Sequence, residues 1–396
     1  MSPLRSRIAQ GIKVENPTLI NFLFLSSVNR LPLTTSAGFT WAAVGWKYAP
    51  IAIITIANID QVIRFLIFIL NQQIFCFQIF DQQAPFSAYV RVIRGCSKFC
   101  HFCVVPFTRG LEHSRPIDNV FEETKKLVHQ GVKEITLLGQ NVNAYRGAQR
   151  TNGKGKIGLG QLLRKLAEIE NLDLLRYTTS HPIDMDEDLI RAHGELDKLV
   201  PFLHLPVQSG SNRVLERMNR RHRREDYLRI VDKLIAVKPN LKFSSDFIVG
   251  FPGETQEDFE ATLALVNEVG FIQAFSFKYS PRPGTPGALM NNKVPEHVKT
   301  ERLAKLQDLL VSNQRKFNES CVGSAIPVLL DRQGRKTGQL AGRTPYMQAV
   351  HVTAPPRYLG KIMSLRIEEA FTNSLAAVLM ECDSGLKKKC SKRISV

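Results

Sequence analysis

Evenly spread pairs of cysteine are missing from this sequence, which excludes the small secreted scaffolds that disulfides hold together. Its seven cysteines are odd in number, and three of them fall between positions 96 and 103. That usage fits a reducing compartment and metal ligation, so a cytoplasmic protein is expected. No internal repeat is found, which excludes a repeat architecture. No uninterrupted apolar run of the ~20 residues that a membrane span needs is found either. Ile51 to Phe80 is rich in Ile and Phe, but Asp60, Arg64 and the cluster Asn71, Gln72, Gln73 break it. It also starts too far along the chain for a signal peptide, and no membrane partner is expected. Acidic residues are scarce. Against 53 Lys and Arg there are 36 Asp and Glu, a net charge of +17, which attracts polyanions such as RNA or DNA.

What is present reads as a globular protein. At 396 residues the chain is long enough for two or three domains, with 44% hydrophobic and 22% charged residues. From Ser87 onward, short β-rich runs alternate with amphipathic stretches. Strands are predicted at Ala88 to Ile93, Glu134 to Leu138, Leu174 to Thr179, Phe202 to Leu205, Phe243 to Val249 and Phe275 to Tyr279. Helices are predicted between them, at 120–130, 160–168, 186–192, 213–218, 225–236 and 256–269. This alternation calls for parallel strands with crossover helices. Six units are too few for an eight-stranded barrel, so the fold class is α/β with a partial (βα)6 barrel. A helix at 297–316 closes that domain. From Phe317 the pattern changes to short strands separated by Gly and Pro, which predicts a small antiparallel β-barrel of the kind that often binds nucleic acid. The expected division is an atypical segment at 1–85, a core at 86–316, the small barrel at 317–380 and a basic tail at 381–396.

Cys96, Cys100 and Cys103 form C-x-x-x-C-x-x-C on the loop leaving the first strand. A structural zinc site would want a fourth ligand, which His101 supplies only on paper. Three thiolates suit a four-iron cluster that keeps one iron open for a ligand. Other positions stand out. Gly139 ends a strand, with polar Gln140 and Asn141 after it; a plain strand-to-loop turn would explain the glycine alone. Gln208, Ser209 and Ser211 lie on a Gly-containing loop, where Ser211 also serves as a helix cap. Ile248 lies at the end of the fifth strand, and Gly250, Gly253 and Glu254 follow it. Arg217, Arg220, Arg221, Arg223 and Arg224 form either a solvated face or a phosphate-contacting edge. Arg282 sits at the C-terminal end of the sixth strand, where barrel active sites form. Cys321 reads as a small buried hydrophobe, and Cys382 and Cys390 as incidental.

The cysteine spacing, with Phe102 before the last cysteine, resembles the radical S-adenosylmethionine superfamily. The blocks ITLLGQNVNAY (135–145), RYTTSHP (176–182), LHLPVQSGSNRVLERMNRRH (203–222), SSDFIVGFPGET (244–255) and FSFKYSPRPGTPG (275–287) are similar to its methylthiotransferase branch. The likeness runs from about Pro85 to about Met380, and the C-terminal module resembles that branch's RNA-binding TRAM domain. The resemblance implies a [4Fe-4S] cluster on Cys96, Cys100 and Cys103, with S-adenosylmethionine on its open iron. One electron then cleaves the sulfonium to give a 5'-deoxyadenosyl radical. It also implies cofactor contacts from Phe102, Gly139, Gln140, Asn141, Ser180, Gln208, Ser209, Asp246, Ile248, Gly250 and Arg282, and RNA contacts from Arg220, Arg221 and Arg343.

The activity so implied is methylthiolation of C2 of an isopentenylated adenosine beside the anticodon of tRNA. An aromatic C–H there resists ionic substitution, so a radical route is chemically sensible. The implied partners are tRNA and an electron donor such as flavodoxin or ferredoxin, and the chain is expected to be a monomer. The alternatives are methylthiolation of a threonylcarbamoyl-adenosine or a ribosomal-protein aspartate, or an inactive RNA-binding remnant. The family also carries an N-terminal domain whose three cysteines hold a second [4Fe-4S] cluster. Residues 1–85 offer Cys76 alone and show no likeness to that domain. A truncated or frame-disrupted gene, a misjudged start of translation and a replacement domain are the open readings of that segment.

Overall fold

The computed structural model describes residues 86–148 and 155–380. The expectations for residues 1–85, including Cys76 and the interrupted apolar run, lie outside them, as do those for the tail with Cys382 and Cys390.

Six parallel strands appear in chain order: β1 Ser87–Arg91, β2 Glu134–Leu138, β3 Leu174–Tyr177, β4 Phe202–His204, β5 Lys242–Val249 and β6 Gln273–Lys278. They form two three-stranded ladders, β1-β2-β3 and β4-β5-β6. A parallel bridge between Leu175 and Leu199 joins the ladders, with Leu175 N–H donating to Lys198 O at 2.7 Å. Among the described residues β1 and β6 pair on one side only, so the barrel is open, as the six-fold alternation predicts.

The crossover helices are α1 Ile117–His129, α2 Leu159–Ala167, α3 Glu187–Glu195, α4 Asn212–Arg217, α5 Arg224–Val237 and α6 Gln256–Val269. In α2 the buried residues Leu159, Leu162, Leu163 and Leu166 recur at helical spacing. Burying each leucine stabilises the fold by about 1.5–3 kcal/mol. α6 starts at Thr255, whose hydroxyl accepts from Asp258 N–H while the Asp258 carboxylate accepts from Thr255 N–H. This capping box satisfies two otherwise orphaned donors. The helix stops at Gly270, which is left-handed.

On β1, Ala88 and Val90 are buried in the helix-packed core, while Tyr89 and Arg91 are exposed on the opposite face. The same inner face carries Thr136, His204 and Asp246, and on β6 Phe275 and Phe277, 51% and 54% exposed. Alternation of this kind departs from the all-apolar strands of a parallel sheet covered on both sides. It leaves a polar and aromatic inner wall.

The closing helix, α7, spans Glu296–Ser320 and overruns the boundary expected at 316. Its last turn belongs to the second domain: Phe317 packs on that core, and Asn318 Nδ2 donates to Phe371 O at 2.9 Å. Strands β7 Ala325–Gln333, β8 Gln339–Arg343, β9 Ala349–Thr353, β10 Ile362–Ala370 and β11 Ser374–Leu379 close a barrel in the order β7-β8-β9-β11-β10. It is not wholly antiparallel, because β9 and β11 run parallel. An odd number of strands in a closed ring cannot alternate throughout, so one neighbouring pair must share a direction.

The two domains meet at Arg176. Its guanidinium pairs with Glu134 at the start of β2, and both side chains are buried. Two further N–H groups donate to Pro345 O at 2.7 Å and Thr344 O at 3.2 Å in the β8–β9 turn. Among the described residues no helix is long and apolar enough to cross a membrane.

Replacing Arg176 with Met strands the buried Glu134 carboxylate and two carbonyls. Removing one partner of a buried pair costs about 3–5 kcal/mol, so thermal denaturation should show a marked fall in melting temperature. Buried His193, whose Nε2 lies 2.7 Å from Tyr177 Oη, makes stability depend on pH. Burial, with Lys238 adding to it, lowers its pKa to about 3 from the ordinary 6.5. The unfolded chain therefore takes up the proton first. Stability should be full above about pH 6.5 and fall as pH drops toward 3, and melting curves at pH 7.5, 6 and 5 check this.

Candidate functional site

The cysteine loop has almost no regular structure, so its backbone groups must find partners elsewhere. At its stem, Ile93–Arg94 pairs antiparallel with His113–Ser114. Gly95 then turns with φ of +76°, and a Cβ there would collide with the Leu111 carbonyl. Glycine is required at this turn. Gly95 N–H donates to Gln140 Oε1 at 2.7 Å, and Ser97 N–H to Glu112 Oε1 at 3.2 Å. Asn141 Nδ2 donates to Glu112 Oε1 at 3.0 Å and to Asp184 Oδ2 at 2.7 Å; Asp184 also pairs with Lys98 at 2.8 Å. One side of the loop is thus fastened to the end of β2 and to the turn after β3.

The segment after α4 fastens the other side. His101 N–H donates to Met218 O at 2.9 Å, His101 Nδ1 lies 2.7 Å from Arg217 O, and Asn219 Nδ2 donates to Phe99 O at 2.9 Å. His101, the fourth ligand considered for zinc, spends Nδ1 on that carbonyl. Among the described residues no three His, Cys, Asp or Glu side chains are grouped to hold a single metal ion.

Cys96 and Cys103 nevertheless sense the thiols beside them. Burial pushes Cys96 up to about 11, with Glu112, Cys100 and Cys103 adding to the rise. Burial also raises Cys103, with Cys100 adding to the rise and Arg220 opposing it. Two buried polar atoms at the same strand ends, Asn141 Oδ1 and Ser180 Oγ, have no protein partner. An unsatisfied buried group costs about 1–3 kcal/mol, which a polar ligand would relieve. The thiol trio and these orphaned oxygens fit an iron–sulfur cluster with a polar ligand beside it.

Other expected residues gather here in altered roles. What approaches Gly139 is the protein's own Ile93, whose side chain would meet a Cβ there. Gln140 holds the cysteine loop. Phe102 and Ile248 pack together against Val214, Met218, Phe251 and Tyr279. Gln208 has a left-handed φ of +77°, and its backbone exchanges hydrogen bonds with Asp246 and Ile248. Asp246 Oδ1 stands 3.6 Å from His204 Nε2 on the inner face. Gly250 N–H donates to Glu254 Oε1 at 2.8 Å, and Glu254 pairs with Arg302. Arg282 is exposed beyond β6.

Two of the expected residues are buried in the protein's own packing. Ser209 Oγ, expected at the cofactor, faces Thr262 Oγ1 at 3.3 Å inside the packing of the loop on α6. Arg220 is 5% exposed and points at Cys100 and Pro206, not at solvent where RNA would lie. Arg221 and Arg223 are exposed, and Arg343 is half-buried near Asp331.

Several residues escaped sequence reasoning. Glu112 carried a signal as the first acidic residue after Asp81. Asp184 carried none. Asn143 exchanges hydrogen bonds with the His181 backbone, at 2.8 and 2.9 Å, and locks two of the quoted blocks together. His222 is buried beside His181, ring centroids 5.7 Å apart. Burial and Arg220 lower its pKa to about 4, which keeps it neutral. Two surface clefts, one between β6 and α7 and one between α1 and the end of α2, do not reach the cysteines.

Residues 90–266 match the model of the Radical SAM superfamily, and residues 319–380 that of the TRAM domain. The chain is 56% identical over 292 residues to tRNA-2-methylthio-N(6)-dimethylallyladenosine synthase of Wolbachia pipientis subsp. Culex pipiens, covering 73% of this chain and 66% of the relative. It is 54% identical over 302 residues to the protein of that name from Maricaulis maris, covering 76% and 66%. The chain thus spans 66% of the length of these curated relatives. Among solved structures, the radical S-adenosylmethionine methyltransferase TsrM from Kitasatospora setae aligns at 17% identity and a TM-score of 0.42, covering 66% of this chain and 42% of that one. With the cysteine loop at the mouth of an open six-stranded barrel and the small closed barrel after it, residues 90–266 carry a radical SAM domain and residues 319–380 a TRAM domain.

Proposed function

We propose that this protein is a radical S-adenosylmethionine methyltransfer enzyme of the methylthiotransferase kind, adding a methylthio group to C2 of N(6)-dimethylallyladenosine next to the anticodon in tRNA. The observation that carries this reading is the identity of 54–56% to synthases of that name, over 292 to 302 residues. In this reading Cys96, Cys100 and Cys103 hold a [4Fe-4S] cluster. When bound, the cluster supplies an electron to the sulfonium of S-adenosylmethionine.

The chain's own residues orient and enclose that chemistry. Asn141 Oδ1 and Ser180 Oγ offer unsatisfied acceptors to the polar end of the cofactor. Phe102 and Ile248 give it an apolar wall, and Asp246, Gln208, Gly139, Gly250 and Arg282 line the same strand ends. Neutral His222 presents a buried, unpartnered Nε2 nearby. The inner face of the barrel, with Phe275 and Phe277, suits a planar base.

We assign 86–316 to the radical core and 317–380 to an RNA-gripping domain, assisted by Arg221, Arg223 and Arg343. A cytoplasmic monomer reduced by flavodoxin or ferredoxin is part of the same proposal. Beyond Cys96, Cys100 and Cys103 the described residues hold one more cysteine, Cys321, and so no three thiols for the family's second [4Fe-4S] cluster.

Reconstituted without oxygen, the protein should bind about four irons per chain at this site, and Cys100→Ala should lose them. Given S-adenosylmethionine, a reductant and tRNA bearing N(6)-dimethylallyladenosine, the product is read by nucleoside mass spectrometry. A methylthio nucleoside supports the assignment. About four irons with no such product would reduce the reading to a radical site lacking sulfur transfer, and the absence of iron would end it.

A further inference from the structure

Arg220 is a buried cation with no carboxylate partner among the described residues. Its side chain is 5% exposed, and Nη2 is spent on Pro206 O at 2.5 Å. Nη1 donates to Cys100 Sγ at 3.6 Å, and Nε has no partner at all. A buried charge without a counter-ion is costly, and the anion its geometry addresses is the sulfur of Cys100.

Its surroundings leave it the dominant charge there. His181 and His222 are held neutral by burial and by Arg220 itself, and Lys98 is committed to Asp184. The position is also fixed. Asn219 and Arg221 on either side are left-handed, with φ of 57° and 55°, and Met218 and Asn219 bond directly to the cysteine loop. So placed, the guanidinium is held between Pro206 O and the thiol.

We propose that Arg220 is a positioning residue that sets the reduction potential of the cluster on Cys96, Cys100 and Cys103, through its charged N–H···S bond to Cys100. The inference rests on the cluster assignment proposed above. Reduction adds one electron, and with it one negative charge, to a group already ligated by thiolates. A fixed positive charge in a site shielded from water stabilises the reduced form more than the oxidised one. Hydrogen bonds to cluster sulfurs act in the same direction. Arg220 thereby makes delivery of the electron by an external donor more favourable.

The test compares wild type, Arg220→Met, Arg220→Lys and, as a control for the loss of one surface charge, Arg229→Met. Each is reconstituted anaerobically, its iron and sulfide are counted, and its midpoint is read by dithionite titration with mediators, followed by electron paramagnetic resonance. Arg220→Met should be at least tenfold harder to reduce, about 59 mV more negative for one electron. Arg220→Lys should recover part of the shift, and Arg229→Met should match wild type. The resonance signal reports loaded molecules only, so incomplete loading of a variant does not hide the midpoint. A midpoint in Arg220→Met equal to wild type would overturn the proposal. If wild type itself held no cluster, the functional assignment would fail instead, and the iron count tells the two apart.

Discussion

The hydrogen bonds that fasten the Cys96–Cys103 loop to its surroundings are the constraint around which the rest is arranged. Three thiols can face one point only if the irregular backbone between them is held from both sides. Gln140, Asn141 and Glu112 hold one side, and Met218, Arg217 and Asn219 the other. Glu112 stands beside the His113–Ser114 arm of the loop's own stem, and the partial barrel supplies the other groups from the ends of β2 and α4, elements whose positions the buried core fixes. Catalytic groups on loops need such rigid neighbours, because a loop's own contacts are too few to set its geometry.

The clamp also explains why the quoted sequence blocks are polar where they are. The Asn-rich block after β2 and the His-containing turn after β3 bond to each other as much as to any ligand, through Asn143 and His181. The glycine-containing turn after β5 is tied to α7 by the buried Glu254–Arg302 pair. Many residues that look like ligand contacts in a motif therefore build the frame that presents a smaller number of true contacts.

The sequence made the architecture readable because apolar periodicity reports burial directly. All six strands and their crossover helices lie where alternation put them, and α6 begins at its Thr255 capping box. What could not be read was direction. Nothing in a run of five arginines tells that Arg220 turns inward while Arg221 stays outside, since that follows from left-handed backbone at Asn219 and Arg221. Ser209 reads as a cofactor contact in the motif, yet a hydroxyl on a glycine loop is equally suited to a neighbouring helix, where it lies. The parallel β9–β11 pair was hidden as well, because strand spacing does not say how a ring closes.

Arg176 has a consequence beyond stability. It begins in the wall of the large barrel and ends on carbonyls of the small one, and the last turn of α7 is shared in the same manner. The two bodies are therefore joined at two places, without a slack tether. The small barrel is thereby held at a set distance from the thiols, as the two jaws of a caliper are.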